Sequence, residues 1–245
     1  MTKKIFISNA VFEMFPGYVR HVLITNGADN SKADAELEAL LRSEEARVRA
    51  DESFADIKAH PRIASWRDAF AKFGTNPNQC PPSIANLIKR VRGGKDIPYI
   101  NSLVAIFNII SMRYVIPAGG DDLDIVTGDL SLGVSDGTEM YVPLGSPDVK
   151  EHPRPGEIIL YDTGSRDVFC RSWCWKNGDR SRIEGSAKRV AINIDALPPV
   201  TEDEGLCAAE ETAGLVRRFC GANVTIHKIS ASSPGFEIKK FPRAS

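Results

Sequence analysis

The sequence predicts an α/β (α+β) fold in which helices pack against a mixed or antiparallel sheet. Three observations favour this fold class. Amphipathic helical patterns fill the N-terminal part, a helix that is apolar nearly all round follows, and short β-like segments separated by turn residues occupy 124–195. Helices followed by a run of short strands are typical of α+β domains. With 245 residues, the chain is long enough for one large domain or two small ones.

The N-terminal segment, residues 1–59, is predicted to form a strand hairpin and a charged helix that belong to the same fold as the rest. Strands are expected at 4–12 and 18–25 around a Pro-Gly turn, because both runs are rich in β-branched and aromatic residues. A helix at 32–49 carries a narrow apolar seam and should pack by one face only.

Two further helices are expected at the start of a core region that spans 60–197. The first, HPRIASWRDAFAKFG, places its aromatic residues on one side, and Ser83 is expected to cap the second, at 84–91. The second helix ends in the densest basic cluster of the chain. Such a cluster either stabilises the helix dipole or contacts phosphates, so we take it as the candidate RNA-binding patch. Its members are Lys89, Arg90, Arg92 and Lys95.

The stretch INSLVAIFNIISMRYVIPAGGDDLD, residues 100–124, is predicted to be a buried helix followed by a glycine loop that delivers acidic residues. A helix that is apolar nearly all round lies inside a protein. Asn101 or Ser102 should cap its start, and Pro117 with the Gly119-Gly120 pair should end it.

Polar side chains along this helix raise the possibility of a site. Asn101 and Asn108 share one stripe, and Ser111 is one turn from Asn108. The stripe either lines a cavity with three aspartates at its mouth, or its polar groups only bond nearby backbone. The three aspartates are Asp121, Asp122 and Asp124.

The segment CRSWCWKNGDRS contains a second candidate site element. Arg171, Trp173 and Trp175 alternate, so on an extended segment all three would project to one side. An arginine beside indoles makes a flat wall suited to an aromatic ring, a nucleobase or a terminal adenosine. Alternatively, the tryptophans are core and Arg171 is a structural ion-pair partner. Cys170 and Cys174 are expected to be small core thiols.

Composition and charge limit the possible functions. The net charge of −1 gives no overall basic field for nucleic acid, although a local patch can suffice. No apolar run is long enough to span a bilayer, and the first residues lack the pattern of a signal peptide. Five cysteines, an odd number, favour free thiols, and four scattered histidines form no zinc-ligand spacing with them. We therefore expect a cytoplasmic protein with no metal, no cofactor and no membrane partner.

The C-terminal segment, residues 198–245, follows a boundary at Leu197-Pro198-Pro199 and is predicted to form a helix, a strand and a tail. The helix is expected at 201–219 because its acidic start and basic end agree with the helix dipole. A final strand is expected at 224–229, and 236–245 is expected to be a loose tail.

Five ordered motifs resemble a known family. The motifs are WRDAFAKFG, PPSIANLIKRVRGGKDIPYINSLV, FNIISMRYVIPAGGDDLD, PGEIILYD and CRSWCWKNGDRS. Together they resemble the B3/4 domain, the editing region of the phenylalanyl-tRNA synthetase β subunit, over about 60–195. The resemblance implies an α/β fold and a pocket that, in the synthetase, hydrolyses the ester of tyrosine mistakenly attached to phenylalanine tRNA. Nothing in the chain resembles the aminoacylation core.

The chain departs from this family at several pocket positions. Freestanding relatives often carry aspartate where this chain has Ala105, and synthetases carry a histidine just before the position of Asp124. A threonine is replaced by Ala187, and an asparagine by Cys174. The editing glutamate has its nearest counterpart in Asn193 or Asp195. The departures imply that the chemistry of the pocket has changed.

The resemblance implies an editing hydrolase that acts in trans on a misacylated tRNA, with tRNA or aminoacyl-tRNA as partner. The alternatives are a noncatalytic RNA- or amino-acid-binding module and a protein that binds or hydrolyses an unrelated aromatic molecule. Ester hydrolysis needs a positioned water and donors for the oxyanion. The candidate catalytic residues are Asn108, Ser111, Asp122 and Asp124, and the candidate substrate-binding residues are Asn101, Gly119, Gly120, Arg171, Trp173 and Trp175.

Overall fold

The structure is a computed structural model that describes residues 2–31 and 33–238. Six helices pack on two sheets, which confirms the predicted fold class. The helices are α1 (Asn9–Met14), α2 (Ala35–Ala50), α3 (Pro61–Lys72), α4 (Ser83–Arg92), α5 (Ser102–Tyr114) and α6 (Glu202–Cys220). The strands are β1 (Lys3–Ile7), β2 (Val19–Asn26), β3 (Ala118–Asp122), β4 (Leu130–Val134), β5 (Met140–Tyr141), β6 (Ile158–Asp162), β7 (Asp167–Arg171), β8 (Lys176–Asn177), β9 (Val190–Ala196), β10 (Asn223–Ile229) and β11 (Gly235–Ile238).

The two sheets differ in their strand directions. The larger, seven-stranded sheet has the order β11-β1-β4-β6-β7-β5, with β8 paired to β7, and it is mixed because β1 and β4 run parallel. The smaller sheet has the order β10-β2-β9-β3 and is antiparallel throughout. No helix among the described residues is long and apolar enough to cross a membrane.

The predicted N-terminal hairpin is wrong. β1 lies in the larger sheet and β2 in the smaller one, and α1 connects them. The apolar run at 4–12 was read as one strand, but the strand ends at Ile7, where the Ser8 amide donates to the Leu132 carbonyl. Val11 and Phe12 are buried from the helix instead.

The central helix is confirmed, but the glycine loop after it is wrong. The Asn101 side chain caps α5 by accepting from the Val104 amide at 3.0 Å. The helix ends at Tyr114, and the C-cap residue Val115, with a positive φ of 52°, reverses the chain. The next residues form β3 rather than a loop, because Gly119 and Gly120 pair with β9. A glycine-rich strand has no β-propensity signal to predict it.

Two smaller expectations were also wrong. Ser83 does not cap α4; Pro82 occupies the N-cap position, and the Ser83 amide donates to the Cys174 carbonyl at 2.9 Å. The expected tail begins with β11, which pairs antiparallel with β1. The rest of that tail, residues 239–245, lies outside the described residues.

The two faces of the smaller sheet have different neighbours. One face packs on α5 and α6: a Cβ added at Gly120 would lie 2.9 Å from Phe107 of α5, and one at Gly205 of α6 would lie 2.9 Å from Ala196. The opposite face carries Arg20 of β2 and, on the neighbouring strands, Asp195 and Asn193 of β9 and Asp121 of β3. Side chains alternate between faces along a strand, so this second face is directed at the larger sheet.

The glycine pair of β3 therefore gives a matched test of this arrangement. Gly120→Ala should destabilise the protein by about 1–3 kcal/mol, because its methyl would overlap Phe107 and the Ala191 carbonyl in a packed region. Gly119→Ala should leave the stability within about 0.5 kcal/mol, since no atom lies within 4 Å of its added Cβ. Urea unfolding of both variants measures the difference; equal losses would contradict the assignment of faces.

Candidate functional site

A cavity of about 80 Å³ lies where the polar face of the smaller sheet meets the larger sheet. β3 and β9 form one side, and β6, β7 and the turn after β7 form the other. Ser83, the first residue of α4, also lines the cavity. The volume corresponds to roughly two or three water molecules. Its polar wall includes Gly119, Asp121, Asn193 and Asp195.

The register of the small sheet brings these polar side chains together. Arg20 lies opposite Asp195, Gly119 lies opposite Asn193, and Asp121 lies opposite Ala191. Residues two apart on one strand share a face, so Arg20, Gly119, Asp121, Asn193 and Asp195 all line the cavity. The sequence AINIDA of β9 therefore sends its apolar isoleucines to the helices and its polar residues to the cavity.

Asp121 is a titratable group of the cavity whose pKa lies close to neutral pH. Its side chain is 4% exposed, Ser181 Oγ donates to one carboxyl oxygen at 2.7 Å, and Asn193 Nδ2 approaches the other at 3.4 Å. Burial raises the pKa of the Asp121 carboxyl from 3.8 to about 6, although Ser181 and Arg20 oppose the shift. The carboxyl can therefore accept a proton near pH 7.

Asn193 presents an unpaired acceptor. Its Nδ2 is directed at Asp121, and its Oδ1 is buried with no hydrogen-bond partner among the described residues. Buried amide oxygens almost always have a partner, which can be protein, water or ligand. The Asn193 Oδ1 atom can therefore accept a hydrogen bond from a molecule bound in the cavity.

The free edge of β3 adds a backbone donor. The Asp195 amide donates to the Pro117 carbonyl, and the Leu123 amide donates to the Arg189 carbonyl. In an antiparallel ladder every second residue bonds to the neighbouring strand, so the residues between them, at 118, 120 and 122, direct their backbone groups away from β9. Two of these outward N–H groups have partners: Ala118 donates to Ser111 Oγ at 3.1 Å, and Asp122 donates to the Ser181 carbonyl at 3.2 Å. Gly120 lies between them and lines the cavity. No acceptor for its N–H is found in the described part of the chain.

A buried network of ionic and polar side chains forms part of the cavity wall. Arg20 Nε donates to Asp195 Oδ1 at 2.6 Å, and Nη2 donates to Oδ2 at 3.2 Å. The Tyr18 hydroxyl also donates to Asp195, and Trp173 Nε1 donates to that hydroxyl at 3.4 Å. Burial raises the pKa of Tyr18 well above its ordinary value, so the phenol stays protonated and acts as a donor.

The two cysteines of the cavity are protonated thiols rather than reactive thiolates. Cys170 and Cys174 are both buried and free. Burial raises the pKa of both thiols well above the ordinary range, and reactive cysteines need the opposite shift. Their expected role as small core thiols therefore agrees with the structure. No group of three or more possible metal ligands of the His, Cys, Asp or Glu type occurs in the described ranges.

The predicted wall of Arg171, Trp173 and Trp175 is wrong. Ser172 and Trp173 have positive φ values of 45° and 66°, so the chain turns sharply where an extended segment was expected. Trp173 is thereby directed into the core and lines the cavity with part of its ring. Arg171 lies over Trp175 at 5.7 Å and pairs with Glu157 at 2.8 Å, as the alternative interpretation expected.

None of the four predicted catalytic side chains lines this cavity. Ser111 and Asn101 bond backbone at the two ends of α5. Asp122 lies on the opposite face of β3 from Asp121 and accepts from the Asp124 amide at 2.9 Å. Asp124 is exposed and pairs with Arg189 at 3.1 Å. Asn108 is half-buried on α5 and does not line the cavity.

Of the predicted substrate-binding residues, the structure brings Gly119, Gly120 and Trp173 to the cavity. The predicted RNA-binding patch is divided. Arg92 is half-buried and donates to the Arg49 carbonyl at 2.6 Å, so it holds the end of α2. The other members of the patch, Lys89, Arg90 and Lys95, are exposed.

Sequence reasoning missed Arg20 as a site residue. It placed Asp121 at the mouth of a possible cavity and Asn193 or Asp195 nearest to the editing glutamate, but it did not include these three among the candidate site residues. One signal was available: Asn193 and Asp195 alternate within an apolar strand. Polar residues on a strand whose other residues are buried mark either an exposed face or a polar cavity, and every residue of β9 is buried.

Comparisons with known proteins identify a family and include a similar solved structure. Residues 65–221 match the family described as the B3/4 domain. No curated protein matches the chain. An N-terminal fragment of the phenylalanyl-tRNA synthetase β subunit from Pyrococcus horikoshii is similar, with 11% identity and a TM-score of 0.47. The match covers 90% of this chain and 49% of that fragment, so the chain spans about half of its length.

Proposed function

The chain belongs to the B3/4 domain family, and from this premise we propose that it hydrolyses the ester of a misacylated tRNA in trans. The observation that carries the proposal is the buried Asp121 carboxyl, whose pKa is about 6, in a cavity with an unpaired Asn193 Oδ1. The resemblance of the five sequence motifs to an editing region supports the choice of an aminoacyl ester as substrate.

Asp121 is the general base of the proposed reaction. Its carboxylate accepts a proton from a water as the water oxygen bonds to the ester carbonyl carbon. When the tetrahedral intermediate collapses, the bond from that carbon to the ribose oxygen breaks, and the ribose oxygen takes the proton from Asp121. The products are the free amino acid and a tRNA with a free terminal hydroxyl. An aminoacyl ester is already activated, so water suffices as nucleophile.

The developing oxyanion needs a fixed donor. The Gly120 N–H is the backbone donor that the free edge of β3 leaves open beside Asp121. Donors of this kind each contribute about 10²–10³ in rate when they are held in place before the reaction. β3 holds Gly120 through ladder bonds on both sides of it, so the donor needs no rearrangement.

A basic surface lies within reach of the same substrate. Ser83 begins α4 at the cavity, and Lys89, Arg90 and Lys95 lie at or beyond the other end of this helix. A ten-residue helix is about 15 Å long. An acceptor stem whose terminal ester enters the cavity can therefore place its phosphates against this cluster.

Charge reversal of Lys89 and Lys95 together should weaken tRNA binding about tenfold or more at low salt, because two phosphate contacts are lost. The slope of log K against log salt should fall by about 2. Filter binding of one tRNA over a range of salt concentrations measures both quantities. Charge reversal of Lys58 and Lys150, which are exposed lysines outside the cluster, is the matched control. Equal losses in the two pairs would remove the cluster from the interface.

The proposed function is tested by deacylation of mischarged tRNAs with the purified protein. We expect release of at least one amino acid well above the spontaneous rate. Salt-dependent tRNA binding without any release would replace the hydrolase with a noncatalytic RNA-binding module. Absence of both binding and release would reject a tRNA substrate altogether.

A further inference from the structure

The volume of the cavity restricts the substrate. An engineered apolar cavity of about 150 Å³ accepts benzene. The cavity between the two sheets measures about 80 Å³, roughly half of that value. The space between the walls therefore favours a side chain of one to three heavy atoms over a phenol or indole ring.

The walls of the cavity are packed and do not enlarge easily. Trp173 forms edge-to-face contacts with Phe15, Tyr18 and Trp66 at centroid distances of 5.0, 4.7 and 5.0 Å. Its indole N–H is also bonded to Tyr18, which in turn is bonded to Asp195. A ring that is held on several sides in a close-packed interior moves only if its neighbours move with it.

The cavity also has a polar requirement. Asn193 Oδ1 is a buried acceptor without a partner, and its orientation is set because Nδ2 of the same amide is directed at Asp121. A substrate hydroxyl satisfies this oxygen, whereas a methyl group leaves it unpaired, which is unfavourable for a buried acceptor. Sites built for a hydroxyl reject the analogue that lacks it.

We propose that the cavity selects aminoacyl esters with a small, hydroxyl-bearing side chain, of which the seryl ester is the best fit. The inference rests on the proposed hydrolysis and assigns its substrate class. In this arrangement the seryl hydroxyl donates to Asn193 Oδ1, and Cys170, Cys174 and Leu160 exclude a larger side chain. Asn193 is a specificity-determining residue, and Asp121 is the catalytic one.

The test compares seryl, alanyl and tyrosyl esters on one and the same tRNA. We expect the seryl ester to be released about tenfold faster than the alanyl ester, and the tyrosyl ester at the spontaneous rate. Asn193→Ala should bring the seryl-to-alanyl ratio close to one. Gly119→Ala, whose methyl enters open space, should slow seryl release without a loss of stability.

The outcomes separate this inference from the proposed function. Release of the tyrosyl ester in preference to the seryl ester overturns the inference and leaves the hydrolase standing. A seryl-to-alanyl ratio near one in the wild type overturns the role of Asn193. If no ester is released, the proposed hydrolase activity is rejected. Calorimetry with serinamide, alaninamide and tyrosinamide then tests whether the cavity still selects a small side chain with a hydroxyl. Selective binding of serinamide supports the assigned class, and binding of none of the three overturns it.

Discussion

Asp121→Asn should abolish deacylation and at the same time stabilise the protein above pH 6. The loss of activity follows because an amide cannot accept the proton of the attacking water, and general-base catalysis contributes about 10²–10⁴ in rate. The gain in stability follows from the pKa of the Asp121 carboxyl, which burial raises from 3.8 to about 6. The folded protein therefore binds this proton more tightly than the unfolded chain does.

The difference between the pKa of Asp121 in the folded and in the unfolded state fixes the sign of the pH dependence of stability. A group whose pKa is higher in the folded state contributes stability below its unfolded pKa, and the contribution is lost as the pH rises through the folded pKa. Between about pH 4 and pH 6 the wild type thus loses up to about 2–3 kcal/mol from this carboxyl. The near-isosteric amide has no such dependence, so the variant should gain most at pH 8. Denaturant unfolding at pH 4 and pH 8 measures the gain.

A comparison with Asp122→Asn distinguishes the structural assignment from the sequence prediction. Asp122 is adjacent in the chain but lies on the opposite face of β3. If Asp122→Asn abolished release while Asp121→Asn retained it, the sequence prediction would be right and the cavity would not be the active site. The rate of the wild type should also rise with pH through about 6, as Asp121 ionises.

The parts of the fold that were predicted correctly are those with a long, regular signal. α5 was recognised because apolar residues surround it and Asn101 caps it, and α2 because its apolar seam repeats at helical spacing. Short segments gave weaker signals. Residues 4–12 contain both a strand and the start of a helix, and no local pattern marks the change at Ser8.

The candidate site was harder to predict because it depends on two facts that a sequence does not contain. One is the pairing of strands: Arg20 and Asp195 are far apart in the chain and lie opposite each other only through the β2–β9 register. The other is local backbone conformation. The alternation of Arg171 and Trp173 predicts a shared face, but positive φ values at Ser172 and Trp173 reverse the direction of the indole.

The buried ion pair beneath the cavity makes a second strong prediction. Asp195→Ala should destabilise the protein by about 3–5 kcal/mol, because it leaves the Arg20 guanidinium buried without its hydrogen-bonded carboxylate partner. The two side chains are only 2% and 5% exposed, and the Tyr18 hydroxyl would lose its acceptor as well. For a chain of this length, the melting temperature should fall by about 10 °C or more. Thermal and denaturant unfolding measure the loss.

Two further variants separate the charge from the packing. Arg20→Met combined with Asp195→Leu removes both charges and should recover much of the stability, since replacing a whole buried pair with apolar side chains is often neutral. Glu237→Ala removes an exposed partner of Lys4, 4.0 Å away, and should change the stability by less than about 1 kcal/mol. A loss in the double variant as large as in Asp195→Ala would mean that the polar network, and not the uncompensated charge, maintains the cavity. In that case the geometry of Asn193 and Asp121 would depend on the hydrogen bonds of Tyr18 and Trp173, and deacylation by the double variant should be lost even where it folds.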